Sequence, residues 1–266
     1  MKILLTNDDG YKSEGISVLE SFLVRSGHEV WVCAPSQERS ASSHSMTLRE
    51  DITITEYDHM HYHCSGTPAD CILYAGKGKL FSENPDLVIS GINHGYNIST
   101  DILYSGTVGA AREAALTGLK SMAVSCMRDE QGVFPFAKAA QFVVDHLDIL
   151  YPLCSSDCII NINVPPSGNG AWKPAEMSYL DYSDAVEKKE ENNCKTYDTS
   201  SVHFGTSVVL SLKGGVSPLQ RCNTMGSDFQ AVSEGFVSIT ALAILPPIKT
   251  DIQQKLTDVY QEGLYV

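Results

Sequence analysis

Two adjacent carboxylates, Asp8 and Asp9, follow the short apolar run Ile3-Leu4-Leu5 and are closed by Gly10. A run of that kind reads as a buried strand. In an open parallel sheet, ligands bind beyond the carboxyl ends of the strands. Two acids placed there repel each other, and desolvating them is costly unless a cation compensates. Oxygen-rich sites of this kind suit Mg²⁺, Mn²⁺ or Ca²⁺. An Asp-Asp pair also serves as a helix cap or turn, so the rest of the chain has to decide.

Three further loops follow strand-like runs and carry groups able to bind a metal or an anion. One holds Arg39, Ser40, Ser42, Ser43, His44 and Ser45. The next is Ser90-Gly91-Ile92-Asn93-His94-Gly95-Tyr96-Asn97, where Asn93 offers a neutral amide oxygen to a metal or stabilises a turn. The last is Tyr104-Ser105-Gly106-Thr107, directly before a helical pattern. A helix starting there offers unpaired N–H groups and a positive dipole end to an anion, and both hydroxyls can donate to phosphate oxygens. Simple N-capping by Ser105 or Thr107 is the plainer role. His44 and His94 lie in these loops and suit acid or base work.

Other chemistry-bearing residues point less far. His59, His61 and His63 alternate along one strand face, but no Cys or carboxylate completes a metal set there, so a polar hairpin face is expected. The chain has eight cysteines, and Cys33, Cys126 and Cys158 sit in apolar runs as reduced core residues. Cys154 and Cys158 form the only close pair, with no second pair at zinc spacing. Residues 187–191 form a charge run, expected to be solvated surface.

The elements that must hold these loops alternate. Helical spacing runs over 14–26, with Gly27 as the stop; 29–33 is a strand closed by Pro35. Residues 52–55 and 59–64 alternate like a hairpin, and Thr67-Pro68 opens a helix to about residue 75. Strands are predicted at 86–90, 122–126 and 158–163, and helices at 107–117 and 134–150. That order gives an α/β fold with a mostly parallel sheet flanked by helices. After Pro165-Pro166 the pattern changes: 167–207 is polar and poorly patterned, 208–212 and 236–242 read as strands, and 250–264 as an amphipathic helix. The expected organisation is a single domain over 1–266, with a core over 1–165 and a strand-rich oligomerisation elaboration and C-terminal helix over 166–266.

Composition narrows the function classes. Hydrophobic residues make up 43% of the 266, ordinary for a folded protein. The net charge of −13 repels phosphate backbones, so neither a nucleic-acid polymer nor an anionic membrane is an expected partner. A small phosphorylated ligand remains compatible if a metal supplies local positive charge. No run approaches the ~20 apolar residues of a membrane span. The apolar start is too short for a secretion signal, which makes the cytoplasm the expected compartment.

Five blocks occur together and in order: Leu5-Thr6-Asn7-Asp8-Asp9-Gly10, Arg39-Ser40, Gly66-Thr67-Pro68-Ala69-Asp70-Cys71, residues 90–97, and Tyr104-Ser105-Gly106-Thr107-Val108. In them, and in residues 161–165 and 228–240, the chain resembles the SurE family, the stationary-phase survival proteins that act as metal-dependent 5′/3′-nucleotidases. The resemblance implies a Rossmann-like core, a protruding hairpin, an exchanged C-terminal segment, and a homodimer or homotetramer. It implies one divalent cation per subunit, Mg²⁺ or Mn²⁺, on Asp8, Asp9, Ser40 and Asn93, with Asp8 and Asp9 catalytic. Asn93, Ser105, Gly106 and Thr107, joined by Ser43, would contact a nucleoside monophosphate. The chain departs from the family pattern at Ala41, where relatives carry Gly, at Glu14, where many carry Pro, and at Ser227, where Thr is common.

Hydrolysis of phosphate monoesters, with exopolyphosphatase activity as an extension, is therefore the expected function. A non-catalytic metal-dependent nucleotide sensor is the alternative. A phospho-receiver domain would need an acceptor Asp after a later central strand, where this chain has Ser90-Gly91-Ile92-Asn93. A haloacid-dehalogenase phosphatase would separate its first two acids by one residue, whereas Asp8 and Asp9 are adjacent.

Overall fold

The computed structural model describes residues 1–181, 185–198, 201–213, 219–220 and 226–261. In chain order the elements are β1 (Lys2–Thr6), α1 (Glu14–Arg25), β2 (Glu29–Pro35), β3 (Ile54–Asp58), β4 (His61–Cys64), α2 (Pro68–Lys77) and β5 (Leu87–His94). Then come α3 (Gly106–Leu116), β6 (Ser121–Cys126), α4 (Phe136–Leu150), β7 (Cys158–Val164), β8 (Trp172–Pro174), β9 (Leu180–Asp181), β10 (Ala185–Asp198) and β11 (Ser201–Lys213). β12 (Leu219–Gln220), α5 (Asp228–Ser233), β13 (Val237–Ala243) and α6 (Thr250–Gln261) complete the series.

A nine-stranded sheet runs β3-β4-β2-β1-β5-β6-β7-β13-β8. Pairing is parallel from β4 to β7 and antiparallel at β3/β4 and β13/β7. β1 is buried on both faces, which explains its unbroken apolar run: Ile3 and Leu5 face one core, Leu4 the other. α1 and α4 cover the first face with Ile16, Leu19, Leu23, Phe136 and Val143. α2 and α3 cover the second with Cys71, Ile72, Ala75, Ala110 and Ala114. The chain moves outward from β1 through β2 to β4 and β3, then returns to place β5 on β1's other side. β1 and β5 therefore flank the point where strand order reverses, and their carboxyl ends open a crevice.

The expected division at residue 165 is not where the chain separates. One compact unit holds Met1–Met177 and Gly226–Val266, and a second holds Ser178–Met225. β13 belongs to the main sheet, hydrogen-bonded between β7 and β8, rather than to a detached C-terminal elaboration. Inside the second unit, β10 and β11 form a long antiparallel hairpin with one irregularity between Lys188 and Glu190. Residues 187–189 of the charge run are exposed, as expected of a solvated face.

Candidate active site

The acidic turn is built by Asn7. Its side-chain amide donates to the Gly10 carbonyl at 2.9 Å and to Ser13 Oγ at 2.7 Å, while its Oδ1 accepts the Gly10 N–H at 3.2 Å. Gly10 takes φ = +94°, a conformation that favours glycine. The turn thus delivers Asp8 and Asp9 to the crevice, where both line one open cavity of about 550 Å³.

Each carboxylate has a partner. The Thr107 hydroxyl donates to Asp8 Oδ1 in a short hydrogen bond. His94 Nδ1 lies 2.8 Å from Asp9 Oδ1. Burial, opposed by the Thr107 hydrogen bond and reinforced by the Asp9 charge, pushes the Asp8 carboxyl up to about 6. Burial also raises Asp9, against the pull of His94. The pair therefore carries negative charge that the protein only partly compensates.

A bulge aims the next group. In the β5/β6 register Ser90 pairs with Ala123 but Asn93 with Ser125, so one extra residue enters β5. Gly91 sits in that irregular stretch at φ = +137°, where a Cβ would stand 2.2 Å from the Val124 carbonyl oxygen. Asn93 then lines the cavity, with its amide nitrogen committed to the Gly95 carbonyl at 2.9 Å. The side-chain oxygen is left as the group that can accept a cation.

Ser40 also lines the cavity, its hydroxyl donating to Glu38 at 2.6 Å. Ala41, where the family pattern has Gly, takes φ = +56°. Ser105 caps α3 by accepting the Val108 N–H at 3.0 Å and lines the cavity. Gly106 allows close packing: a Cβ there would meet Ser42 Oγ at 2.5 Å and Asp8 Cβ at 2.9 Å.

Three sequence-derived candidates are placed otherwise than expected. Ser43 does not line the cavity; its hydroxyl donates to the Leu103 carbonyl at 2.7 Å and its N–H to that of Tyr104 at 2.9 Å, tying two loops together. The Thr107 hydroxyl is committed to Asp8 rather than offered to a ligand. His44 sits 2.8 Å from Glu113 of α3, leaving His94 as the histidine on the cavity. The 59–63 histidines also have structural partners: His61 meets Glu20 at 2.7 Å and His63 stacks on Tyr11. Among the described residues no cluster of three or more His, Cys, Asp or Glu is arranged to hold a metal. A cation here would rely on two carboxylates supplemented by a hydroxyl and an amide oxygen.

Lys12, Glu38 and Asp101 line the cavity without having been singled out from sequence. Lys12 is a cation three residues past the carboxylates, and only its place in the same turn signalled it. A second omission was the buried support behind the loop after β5. The Asn97 N–H donates to Asn163 Oδ1 at 2.8 Å, its side chain donates to Ser125 at 2.8 Å, and its carbonyl accepts from Asn161 and Asn163. The alternation Asn161-Ile162-Asn163 on β7 was the available signal.

Comparison with known proteins assigns the chain to a family. The family described as Survival protein SurE matches residues 3–209. A 5′-nucleotidase SurE of Desulfitobacterium hafniense (strain DSM 10664 / DCB-2) is 38% identical, covering 91% of this chain and 90% of its own. That of Pseudoalteromonas atlantica is 34% identical, covering 98% of each. The crystal structure of the SurE protein from Aquifex aeolicus matches with a TM-score of 0.78 at 30% identity, over 98% of this chain and all of that one. On sequence, fold and the order of its loops, the chain belongs to the SurE family.

Proposed function

We propose that this protein is a divalent-metal-dependent phosphomonoesterase that hydrolyses nucleoside monophosphates to nucleoside and phosphate. The observation that carries the reading is the buried Asp8-Asp9 pair, facing the start of α3 across one cavity at the strand-order reversal. The nucleotidase relatives support the substrate class.

The donor chemistry fits a hard cation. Asp8 and Asp9 supply charge whose ionised form burial disfavours, and Asn93 and Ser40 supply neutral oxygens on the same cavity. Mg²⁺ or Mn²⁺, when bound, would polarise a phosphoryl oxygen and help activate water. The remaining work falls to the chain itself. Thr107 and His94 fix the two carboxylates, which serve as acid–base groups. The first N–H groups of α3, which have no carbonyl partner inside the helix, and Lys12 receive phosphate charge. The same arrangement extends to 3′-nucleotides and terminal phosphates of short polyphosphate, because none of these groups reads the base.

The deciding assay is phosphate release from AMP and GMP with Mn²⁺, before and after treatment with EDTA. Release that EDTA stops and Mn²⁺ restores is expected. Binding of AMP without release would instead make the protein a nucleotide sensor, and full turnover in chelator would end the metal-dependent reading.

A further inference from the structure

An aromatic ring stands at the mouth of the cavity that holds Asp8 and Asp9, and the chemistry above does not use it. Tyr104 lines that cavity between Asp101 and Ser105 and is 66% exposed. A single exposed aromatic is ordinary on a protein surface. Three features set this one apart.

Its backbone is pinned on both sides. The Tyr104 N–H donates to the Asp101 carbonyl at 2.9 Å, its carbonyl accepts the Ser43 N–H at 2.9 Å, and Ile102 just before it is buried against Val108 and Ala111 of α3. Its side chain is not pinned: among the described residues the ring stacks on no other ring and the hydroxyl has no hydrogen-bond partner. The neighbouring aromatic side chains are committed elsewhere, since Phe134 and Phe136 stack at 5.3 Å and pack on His94, and Tyr11 stacks on His63. Finally, Tyr104 directly precedes Ser105, the N-cap of α3. Two residues of chain span at most about 7 Å, about the length of a ribose.

We propose that Tyr104 is the platform on which the substrate's nucleobase stacks, the specificity-determining residue that makes a phosphate-monoester site a nucleotide site. This rests on the phosphatase reading above, which puts the phosphate at the start of α3. A tyrosine on a fixed backbone has only two side-chain torsions to order, so it offers its face at low entropic cost. Every base has such a face, so purine and pyrimidine nucleotides are both accepted, the larger purines more tightly. Glu38 and Asp101 line the same cavity and oppose the charge of a phosphate. A stacked base adds affinity that those carboxylates do not weaken.

The test compares kcat/KM for AMP with kcat/KM for ribose 5-phosphate, which keeps the sugar and phosphate but lacks the base, both with Mn²⁺. In Tyr104→Ala the ratio of the two should fall by roughly 5- to 150-fold, as loss of one base–aromatic stack does, and through KM for AMP. Tyr104→Phe should keep the ratio. An unchanged ratio in Tyr104→Ala, an equal loss on both substrates, or a Tyr104→Phe as poor as Tyr104→Ala would each overturn the proposal. Calorimetry of AMP binding to the wild type and Tyr104→Ala reads the stack without turnover. If the wild type binds AMP and releases no phosphate, the phosphatase reading fails while the difference in AMP affinity still decides this one; if it neither binds nor hydrolyses AMP, both fall.

Discussion

The carboxylate of Asp228 holds Ser99 twice, accepting its backbone N–H and its hydroxyl at 2.6 Å each, across 129 residues of chain. Asp228 is fully buried, and Ser99 sits at φ = +52°, where a non-glycine residue needs support. Downstream of Ser99, Asp101, Tyr104 and Ser105 line the cavity. Asp228→Ala leaves a buried N–H without its acceptor, which costs about 1–3 kcal/mol. We expect a matching fall in urea-unfolding stability and a raised KM for AMP, with Mn²⁺ affinity unchanged. Wild-type stability and KM together would show that the loop needs no such anchor.

The carboxylates and their supports should separate in kinetics and calorimetry. On the metal-dependent reading proposed above, Asp9→Asn would remove a charge from the cation's ligand set, and such a metal would supply several kcal/mol of transition-state stabilisation. We expect kcat to fall by orders of magnitude and Mn²⁺ binding to weaken. Thr107→Val removes only the donor to Asp8. Losing such an outer partner costs about 10–100-fold in metal affinity or activity. A Thr107→Val loss larger than that of Asp9→Asn would invert the assignment.

Ala41 carries a backbone cost that glycine would not. A non-glycine residue in the left-handed region is disfavoured by roughly 1–2 kcal/mol. Ala41→Gly should therefore raise the thermal midpoint, offset in part by extra unfolded-chain entropy. An unchanged or lower midpoint measured by calorimetry would mean that the offset wins.

His61 gives a pH dependence with a definite sign. Its hydrogen bond to Glu20 raises the imidazole above its ordinary 6.5, against partial burial. A raised folded value adds stability that is complete below 6.5 and lost as pH climbs through the raised value. Urea midpoints should fall across that window, by a small amount because the pair is partly exposed. His61→Gln should flatten that part of the profile; an unchanged slope would assign it elsewhere.

Leu245, Ile248, Ile252 and Leu256 are all exposed along the C-terminal segment. Apolar residues spaced along one segment in this way call for a cover, and the cover we expect is a second copy of the chain, in a homodimer or homotetramer. Deleting residues from 245 onward should yield monomeric or insoluble protein. A wild-type monomer in equilibrium sedimentation would remove the premise.

How much could be read beforehand follows from what each element has to bury. β1, β5 and β7 are apolar because the sheet is covered on both sides, and α2 announced itself through Thr67-Pro68, whose N-cap threonine the structure places in a capping box with Asp70. The acidic turn and the α3 start were legible because strand ends and helix starts place chemistry by rule. Of the β10/β11 hairpin only 208–212 was legible as strand, since 185–207 lacks the apolar alternation that marks a half-buried strand. Nor were the commitments of Ser43, Thr107 and His44, because a hydroxyl or an imidazole in a loop does not state which neighbour it will meet. The Asp228–Ser99 link was hidden by distance along the chain.

The position of β13 has a consequence for synthesis on the ribosome. β1 through β7 can assemble in the order in which they emerge, but β8 pairs within the main sheet with β13 alone, so it must wait for a strand made much later. Until Val237–Ala243 leaves the exit tunnel, the outer edge of β7 is an open template for another nascent chain. A premature stop codon between residues 165 and 237 should therefore yield sticky, protease-prone fragments rather than partly working enzyme, and the gene's last quarter is as indispensable as its first.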